Sequence, residues 1–186
     1  MPHLLTSLID LCRFRRGPED VPYAPRALIA LLIAAGTLQV AFNLHNGARP
    51  GLVAAAVAGS LAVVGGVFVL LRSRDKSARF VQTLTALAAV YLVFGIVTDA
   101  LALFLPLRAL REEILQHPGH PPALTGANVL VLMAVFALGV WQLCVWIRIL
   151  RRALEVSLAG AVLGFLLLLL VDWVVTGLAA AAIGAA

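Results

Sequence analysis

Five long runs with almost no charged residues constrain this chain more than any other feature of its sequence. A helix needs about 20 predominantly apolar residues to cross the hydrocarbon core of a bilayer. The runs show no polar face at the 3.6-residue period of a soluble surface helix, and no alternation typical of a transmembrane β-barrel. The sequence therefore predicts an all-α, polytopic membrane bundle with spans at about 27–46, 51–71, 80–105, 127–147 and 156–178.

Composition agrees with this class. Of the 186 residues, 62% are hydrophobic and 12% are charged, whereas soluble domains carry about 25% charged residues. So few charges cannot cover a soluble surface, which excludes an ordinary soluble enzyme, a disulfide-stapled secreted domain and a disordered chain. We therefore divide the chain into a polar segment at 1–25 and a five-helix transmembrane domain at 26–186.

The Lys and Arg residues predict the orientation. Four precede the first span, four lie between the second and third spans, and three lie between the fourth and fifth, which makes 11 of 14 on one side. Loops rich in Lys and Arg stay in the cytoplasm, so a bacterial inner-membrane protein with a cytoplasmic N-terminus and a periplasmic C-terminus is expected. This topology explains the net charge of +5 without a nucleic-acid partner. The candidate contacts for anionic lipid or a partner are Arg13, Arg15, Arg16, Arg72, Arg74, Lys76, Arg151 and Arg152.

The segment ahead of the first span has two parts. Residues 2–16 place apolar side chains on one side at helical spacing, which predicts an amphipathic helix lying in the cytoplasmic interface. Gly17 and Pro18 end that helix, and residues 19–25 form a link punctuated by prolines.

Polar residues inside spans are costly in hydrocarbon and are often functional. Counted at 1.5 Å per residue, Asn43, His45, Asp99 and Asp172 gather at a similar depth in the outer half of the bilayer. One interpretation is a cavity open to the outside in which the two aspartates carry a proton or a cation. The other is helix-to-helix hydrogen bonding, with an acid near the water boundary. Packing is favoured for Asp99, and both interpretations remain open for Asp172.

Few residues could hold a metal or a cofactor. His117 and His120 lie three apart in the outer loop, but no Cys or carboxylate stands at ligand spacing beside them. Only His45 lies near a span, whereas a haem between helices needs histidines on facing spans. We therefore expect no metal and no cofactor. Residues 111–116, just before this loop, predict a short helix on the outer surface.

Small residues predict close helix packing. The second span carries Ala54, Ala58, Ala62 and Gly66 at intervals of four, and the fifth carries small residues at 160 and 164. Such spacing lets two helix backbones approach closely, either inside one bundle or in a homodimer. In a bundle of five helices, the internal contact is favoured.

A short motif resembles a known family. Asp20-Val21-Pro22-Tyr23-Ala24-Pro25 is similar to the Asp-Leu-Tyr-Gly-Pro motif that precedes the first span in the Yip superfamily of small five-span proteins, with one residue inserted. Residues 15–22 also resemble an Arg-x-Gly-Pro-x-Asp-Leu-Pro pattern at the start of some bacterial membrane proteins. The resemblance implies a non-enzymatic protein that binds membrane partners.

The functional expectation follows from these features. No P-loop, zincin pair or nucleophile elbow occurs, and the loops are too short for a catalytic domain. We expect a non-enzymatic scaffold or accessory subunit of a membrane complex, in contact with lipids and with a membrane-protein partner or a second copy. The alternative is a small transporter or channel that uses the acidic residues in the outer half.

Overall fold

The computed structural model describes residues 18–117 and 124–184. Within them the chain forms six α-helices and no strand, which confirms the predicted all-α bundle. Five helices, of 21 to 29 residues, are long and apolar enough to cross a membrane. The helices are α1 (Pro25–His45), α2 (Pro50–Arg72), α3 (Phe80–Ala102), α4 (Leu107–Gln116), α5 (Gly126–Leu154) and α6 (Leu158–Ala182), with short 3-10 turns at Pro18–Asp20 and Ser77–Arg79.

Local chemistry explains where several helices begin. Proline opens α1 and α2, where the missing N–H costs nothing. The hydroxyls of Thr125 and Ser157 cap α5 and α6 by accepting hydrogen bonds, at 3.3 Å, from the backbone N–H groups of Asn128 and Gly160. The link between these two helices is short and consists of residues 155–157.

The helix bounds differ from the predicted spans in three places, one of which is α6, which runs from Leu158 to Ala182 where the sequence predicted a span at 156–178. α3 ends at Ala102 and a turn follows, where the sequence predicted a span to 105. α5 continues to Leu154, so Arg148, Arg151 and Arg152 lie in its last turns and not in a loop. Arginine stems reach from a helix into the headgroup region, so a charge marks the edge of the hydrocarbon and not the end of the helix. The interfacial helix predicted at 2–16 lies outside the described residues.

The helix after α3 overlaps the short helix that the sequence predicted at 111–116. It begins at Leu107, four residues earlier than expected, and ends at Gln116. Its sequence is amphipathic at helical spacing, unlike the sequences of the five long helices. This pattern is typical of a helix lying along a membrane interface.

Ion pairs gather three segments that are distant in sequence at one end of the bundle. Arg152 Nη1 lies 2.7 Å from Glu19 Oε1. Lys76 Nζ and Arg79 Nη1 lie 2.7 and 2.8 Å from the two carboxylate oxygens of Glu155. The segment before α1, the α2–α3 link and the α5–α6 link therefore meet, as the charge distribution predicted. We call this the basic end, and we divide each long helix into a basic half next to it and a distal half.

The hydrophobic core lies mainly in the basic half. Along the whole bundle, α2 packs extensively against α6, and α3 packs against both α5 and α1. Residues 126–144 of α5, its distal part, include no buried residue. The core cluster consists of Val21, Val67, Leu71, Ala86, Leu87, Val90, Phe94, Val145, Ile149, Leu150, Ala153, Leu154 and Leu168.

Candidate functional site

Gly59 marks the closest approach of α2 and α6 in the distal half. A Cβ atom built on Gly59 would overlap Thr176 Oγ1 and would lie 2.7 Å from Asp172 Oδ1 and 3.0 Å from the Asp172 carbonyl oxygen. Only glycine fits at this position without displacing α6. The absence of a side chain at Gly59 thus makes the room in which the Asp172 carboxylate and the Thr176 hydroxyl lie.

This contact is far from the basic end. Gly59 precedes Arg72 by 13 residues and Asp172 follows Leu158 by 14, so both lie about 20 Å along their helices from that end. Asp172 is only half-buried, although its neighbours on the helix are apolar. The carboxylate is therefore within the span and is not at its edge.

α3 adds two titratable groups on either side of that depth, Tyr91 about 16 Å and Asp99 about 28 Å along the helix from the basic end. The charges of Asp99 and Asp172 both act on the hydroxyl of Tyr91, which places the phenol within electrostatic reach of two carboxylates from different helices. Asp99 and Tyr91 are both half-buried. We call Tyr91, Asp99, Asp172 and Thr176 the distal polar cluster. Titratable side chains within membrane spans are often part of proton or cation pathways.

A second polar contact joins α1 to α2. The Ser60 hydroxyl is 3.1 Å from both Gln39 Oε1 and the carbonyl oxygen of Ala56, so it can donate to a neighbouring helix or to its own. Gln39 lies 14 residues after Pro25, about 21 Å from the start of α1. This contact therefore lies at the depth of Gly59 and Asp172.

The four intramembrane residues selected from the sequence differ in their surroundings. Asp99 and Asp172 lie on α3 and α6, and the charge of each reaches the hydroxyl of Tyr91. Asn43 Nδ2 donates to the carbonyl oxygen of Gln39, 2.8 Å away in its own helix. His45 is the last residue of α1, at the distal edge of the span.

The small-residue pattern on α2 selected the right helix and some of the residues that face α6. Ala54, in that pattern, is exposed, whereas Gly59, outside it, is buried against α6. Gly66 does face α6, because its Cβ would lie 2.7 Å from Leu168 Cδ2. On α6, Gly164 lies opposite side chains of α2 and α5, so these contacts are internal to the bundle.

The predicted basic contact residues fall into two groups. Lys76 and Arg152 are held in ion pairs with Glu155 and Glu19. Three others are exposed: Arg72, Arg74 and Arg151. The remaining three, Arg13, Arg15 and Arg16, lie outside the described residues.

Glu155 is the centre of the ion pairs at the basic end. A hydrogen bond from Lys76, with the positive charges of Lys76 and Arg79, lowers the pKa of the Glu155 carboxyl from its ordinary value of 4.5. Glu155 also adopts a left-handed backbone conformation, with φ of 53°, which ends α5. One residue thus ends the helix and ties the α5–α6 link to the α2–α3 link.

A groove opens beside this centre. It has a volume of about 290 Å³ and is lined by Arg148, Arg151, Arg152 and Val156. We call it the arginine groove. Its walls come from the last two turns of α5 and from the link that follows.

The described residues offer no clear metal site. Within 18–117 and 124–184, no group of three or more His, Cys, Asp or Glu side chains could surround a metal ion. His117 is exposed just after α4, and His120 lies outside the described residues.

Comparisons with protein-family models, curated proteins and solved structures found no match to this chain.

Proposed function

We propose that this chain is a non-enzymatic integral membrane protein that acts as a scaffold or accessory subunit of a membrane complex. In this proposal the segment before α1, at residues 18–24, is its contact surface. The observation that carries the proposal is the way the bundle holds this segment. Five apolar helices are compatible with an integral membrane protein, and the anchored segment gives that protein a defined polar face.

Three contacts anchor the segment. Val21 is 1% exposed and belongs to the core cluster. Its carbonyl oxygen accepts a hydrogen bond of 3.1 Å from Gln82 Nε2 on α3. Glu19 pairs with Arg152 on α5. A segment held by two helices is preorganised, which reduces the entropy that binding a partner would cost.

The same segment presents an aromatic side chain to its surroundings. Tyr23 is 65% exposed, only two residues after the buried Val21. Exposed tyrosines are frequent at the centre of protein interfaces, because a rigid ring contributes much contact area. The resemblance of residues 20–25 to the Yip superfamily, which we include in the proposal, also implies binding of membrane partners.

Site-specific photo-crosslinking tests this proposal. We expect a photoreactive amino acid at Tyr23 to give a discrete adduct with a membrane protein or with a second copy of the chain. The matched control is Trp173, which is 75% exposed on the distal half of α6 and should give lipid adducts only. If both positions yield only lipid adducts in native membranes, the scaffold proposal is wrong.

We also propose that the chain lies in a bacterial inner membrane with the basic end in the cytoplasm and the C-terminus in the periplasm. The supporting observation is that three basic segments meet at one end of the bundle. Reporter fusions test it: alkaline phosphatase joined after Ala186 should be active, and a fluorescent protein that matures only in the cytoplasm should be dark there. The opposite result would reverse the orientation.

A second candidate function has its own observation. The distal polar cluster includes two carboxylates on different helices, whose charges both reach the hydroxyl of Tyr91 within the apolar spans, and titratable groups in spans are often part of proton and cation pathways. In this function the chain is a small transporter or channel. Asp172→Asn should abolish proton or cation flux into proteoliposomes, whereas Asp75→Asn, which removes an exposed carboxylate in the α2–α3 link, should not. Equal flux through the wild type and Asp172→Asn would exclude this function.

A further inference from the structure

The arginine groove has the position of a headgroup site. Arg148 follows Gly126, the first residue of α5, by 22 residues, which corresponds to about 33 Å of helix. The hydrocarbon core of a bilayer is about 30 Å thick. When the distal end of α5 lies at one membrane surface, the groove is therefore level with the phosphate groups of the opposite leaflet.

The groove also has the chemistry of an anion site. Its three arginines stand at positions i, i+3 and i+4 of one helix, so they share one face. Guanidinium groups form paired hydrogen bonds with phosphate oxygens in a geometry that an ammonium group cannot match. The helix that begins two residues after Val156 adds the positive end of its dipole to the same region.

One carboxylate beside the groove is engaged outside it, and another is paired with one of the groove arginines. Glu155 is held by Lys76 and Arg79, and Glu19 is held by Arg152. Arg151 is exposed and forms no ion pair within the part of the chain that the structure describes. An anion in the groove would thus meet Arg151 without displacing an existing partner of that side chain.

The size of the groove fits a headgroup and not a large ligand. Its 290 Å³ is about ten times the volume that one water molecule occupies in the liquid. Val156, half-buried in the wall, supplies an apolar surface beside the arginines. A phosphate with its glycerol would place polar atoms on the arginines and carbon atoms against the valine.

We propose that the arginine groove binds the phosphate of an anionic phospholipid. Basic pockets between membrane helices on the cytoplasmic side are suited to such headgroups. Free inorganic phosphate offers the same oxygen atoms, but it lacks the acyl chains that hold a lipid at the membrane surface. The inference goes beyond the scaffold function and is independent of it, because it concerns the purified chain without a protein partner.

Native mass spectrometry of the purified chain in detergent tests the proposal. Dioleoyl phosphatidylglycerol is titrated against dioleoyl phosphatidylcholine, which has the same acyl chains and no net charge. We expect tighter binding of phosphatidylglycerol at one site, and Arg151→Gln should weaken it about fivefold, the factor expected for one arginine close to anionic headgroups. The control is Arg74→Gln, which removes an exposed arginine of the basic end outside the groove and should leave the affinity unchanged.

Three outcomes would overturn the proposal. Equal affinity for the two lipids would show that charge is not recognised. Equal weakening by Arg151→Gln and Arg74→Gln would show diffuse attraction to the whole basic end and no site in the groove. If millimolar inorganic phosphate displaces the lipid from the wild type but not from Arg151→Gln, the groove is a site for the free anion and not for the lipid.

Discussion

The basic and distal halves of the bundle are built from the same long helices, but they differ in how far the side chains are buried. On α5, Leu150 in the basic half is 1% exposed, whereas Leu130 in the distal half is 70% exposed. The basic half holds nearly all of the core cluster, and the distal half holds Asp99 and Asp172, the two acidic side chains within the spans. The apolar core thus lies nearer the basic end and the acidic side chains lie farther from it, although Gly59 makes a close helix contact in the distal half as well.

Lipid explains why such a difference is tolerated. An apolar side chain facing acyl chains loses little compared with one facing another helix, since lipid tails are as apolar as leucine. The distal part of α5 can therefore remain exposed without the cost that water would impose. Close packing still gains dispersion energy, and on α5 this gain is concentrated in the basic half.

The largest effect should come from a cavity in the basic half. Leu150→Ala removes a fully buried side chain from the core cluster, and we expect it to lower the free energy of unfolding by about 2–5 kcal/mol. Leu130→Ala, the same change on the exposed part of α5, should cost less than about 0.5 kcal/mol. Reversible unfolding in mixed micelles measures both. Equal losses would remove the difference between the two halves.

Gly59 should be the most sensitive position of the distal half. Gly59→Ala places a methyl group against Thr176 and Asp172, and we expect a loss of about 1–3 kcal/mol in the free energy of unfolding. Gly65→Ala is the control on the same helix, since a Cβ there meets no atom within 4 Å. Adding Thr176→Ala to Gly59→Ala should recover part of the loss. If Gly59→Ala behaves like Gly65→Ala, then α2 and α6 do not approach closely there.

The hydrogen bond between α1 and α2 should contribute less. Ser60→Ala removes the donor to Gln39, and interhelical hydrogen bonds in membranes contribute about 0.6 kcal/mol on average. The control is Ser73→Ala, because Ser73 bonds only to the carbonyl oxygen of Leu70 at the exposed end of α2. The free energies of unfolding of the two variants, measured side by side, should show a larger loss for Ser60→Ala than for Ser73→Ala. A larger loss for Ser73→Ala would argue against the contact with α1.

The smallest effect should be the pH dependence of the exposed ion pairs at the basic end. Because Lys76 and Arg79 lower the pKa of Glu155, these pairs stabilise the fold above about pH 4.5. That contribution is lost as the pH falls through the lower folded-state pKa. Glu155→Gln should flatten the pH dependence of the melting temperature below that pH, whereas Glu112→Gln, on the surface helix α4, should leave it unchanged. High salt should reduce the difference. Identical pH profiles for the wild type and Glu155→Gln would exclude this contribution.

The sequence predicted the helices and the meeting of the basic segments for clear physical reasons. Each uncharged run has the length that a bilayer requires, and α1 and α2 begin at prolines that any reader of the sequence can see. The loops also alternate between basic and nearly neutral, so the segments before α1, after α2 and after α5 had to share a side. Length and charge are properties of single segments, so they can be read from the sequence without knowledge of the neighbouring helices.

The sequence did not predict the rotation of each helix about its own axis, which decides the face that meets a neighbouring helix. All faces of α2 and α6 are apolar, so no periodicity indicates which face meets a partner. Gly59 contacts α6, whereas Ala54 is exposed, although both residues are small. Leu168 is buried in a run of five leucines whose other members are exposed. These differences depend on the shapes of neighbouring helices, which no single segment encodes.

The distal polar cluster was only partly predictable. Asp99 and Asp172 stand out because charges are rare within spans. Tyr91 does not, since one phenol in an apolar run has an ordinary place near lipid or in a core. A search for phenols and hydroxyls at the depth of the two aspartates would have selected Tyr91 and Thr176. The pairing of Lys76 with Glu155, 79 residues apart, left no such signal.

The three-residue link between α5 and α6 has a mechanical consequence. Glu155 and Ser157 fix both of its ends, one by a left-handed turn and the other by a cap. α6 extends 25 residues from this point, or about 37 Å, so a tilt of about 5° at the link moves its far tip by about 3 Å. Because α6 also contacts α2 closely at Gly59, such a tilt would have to displace α2 together with α6.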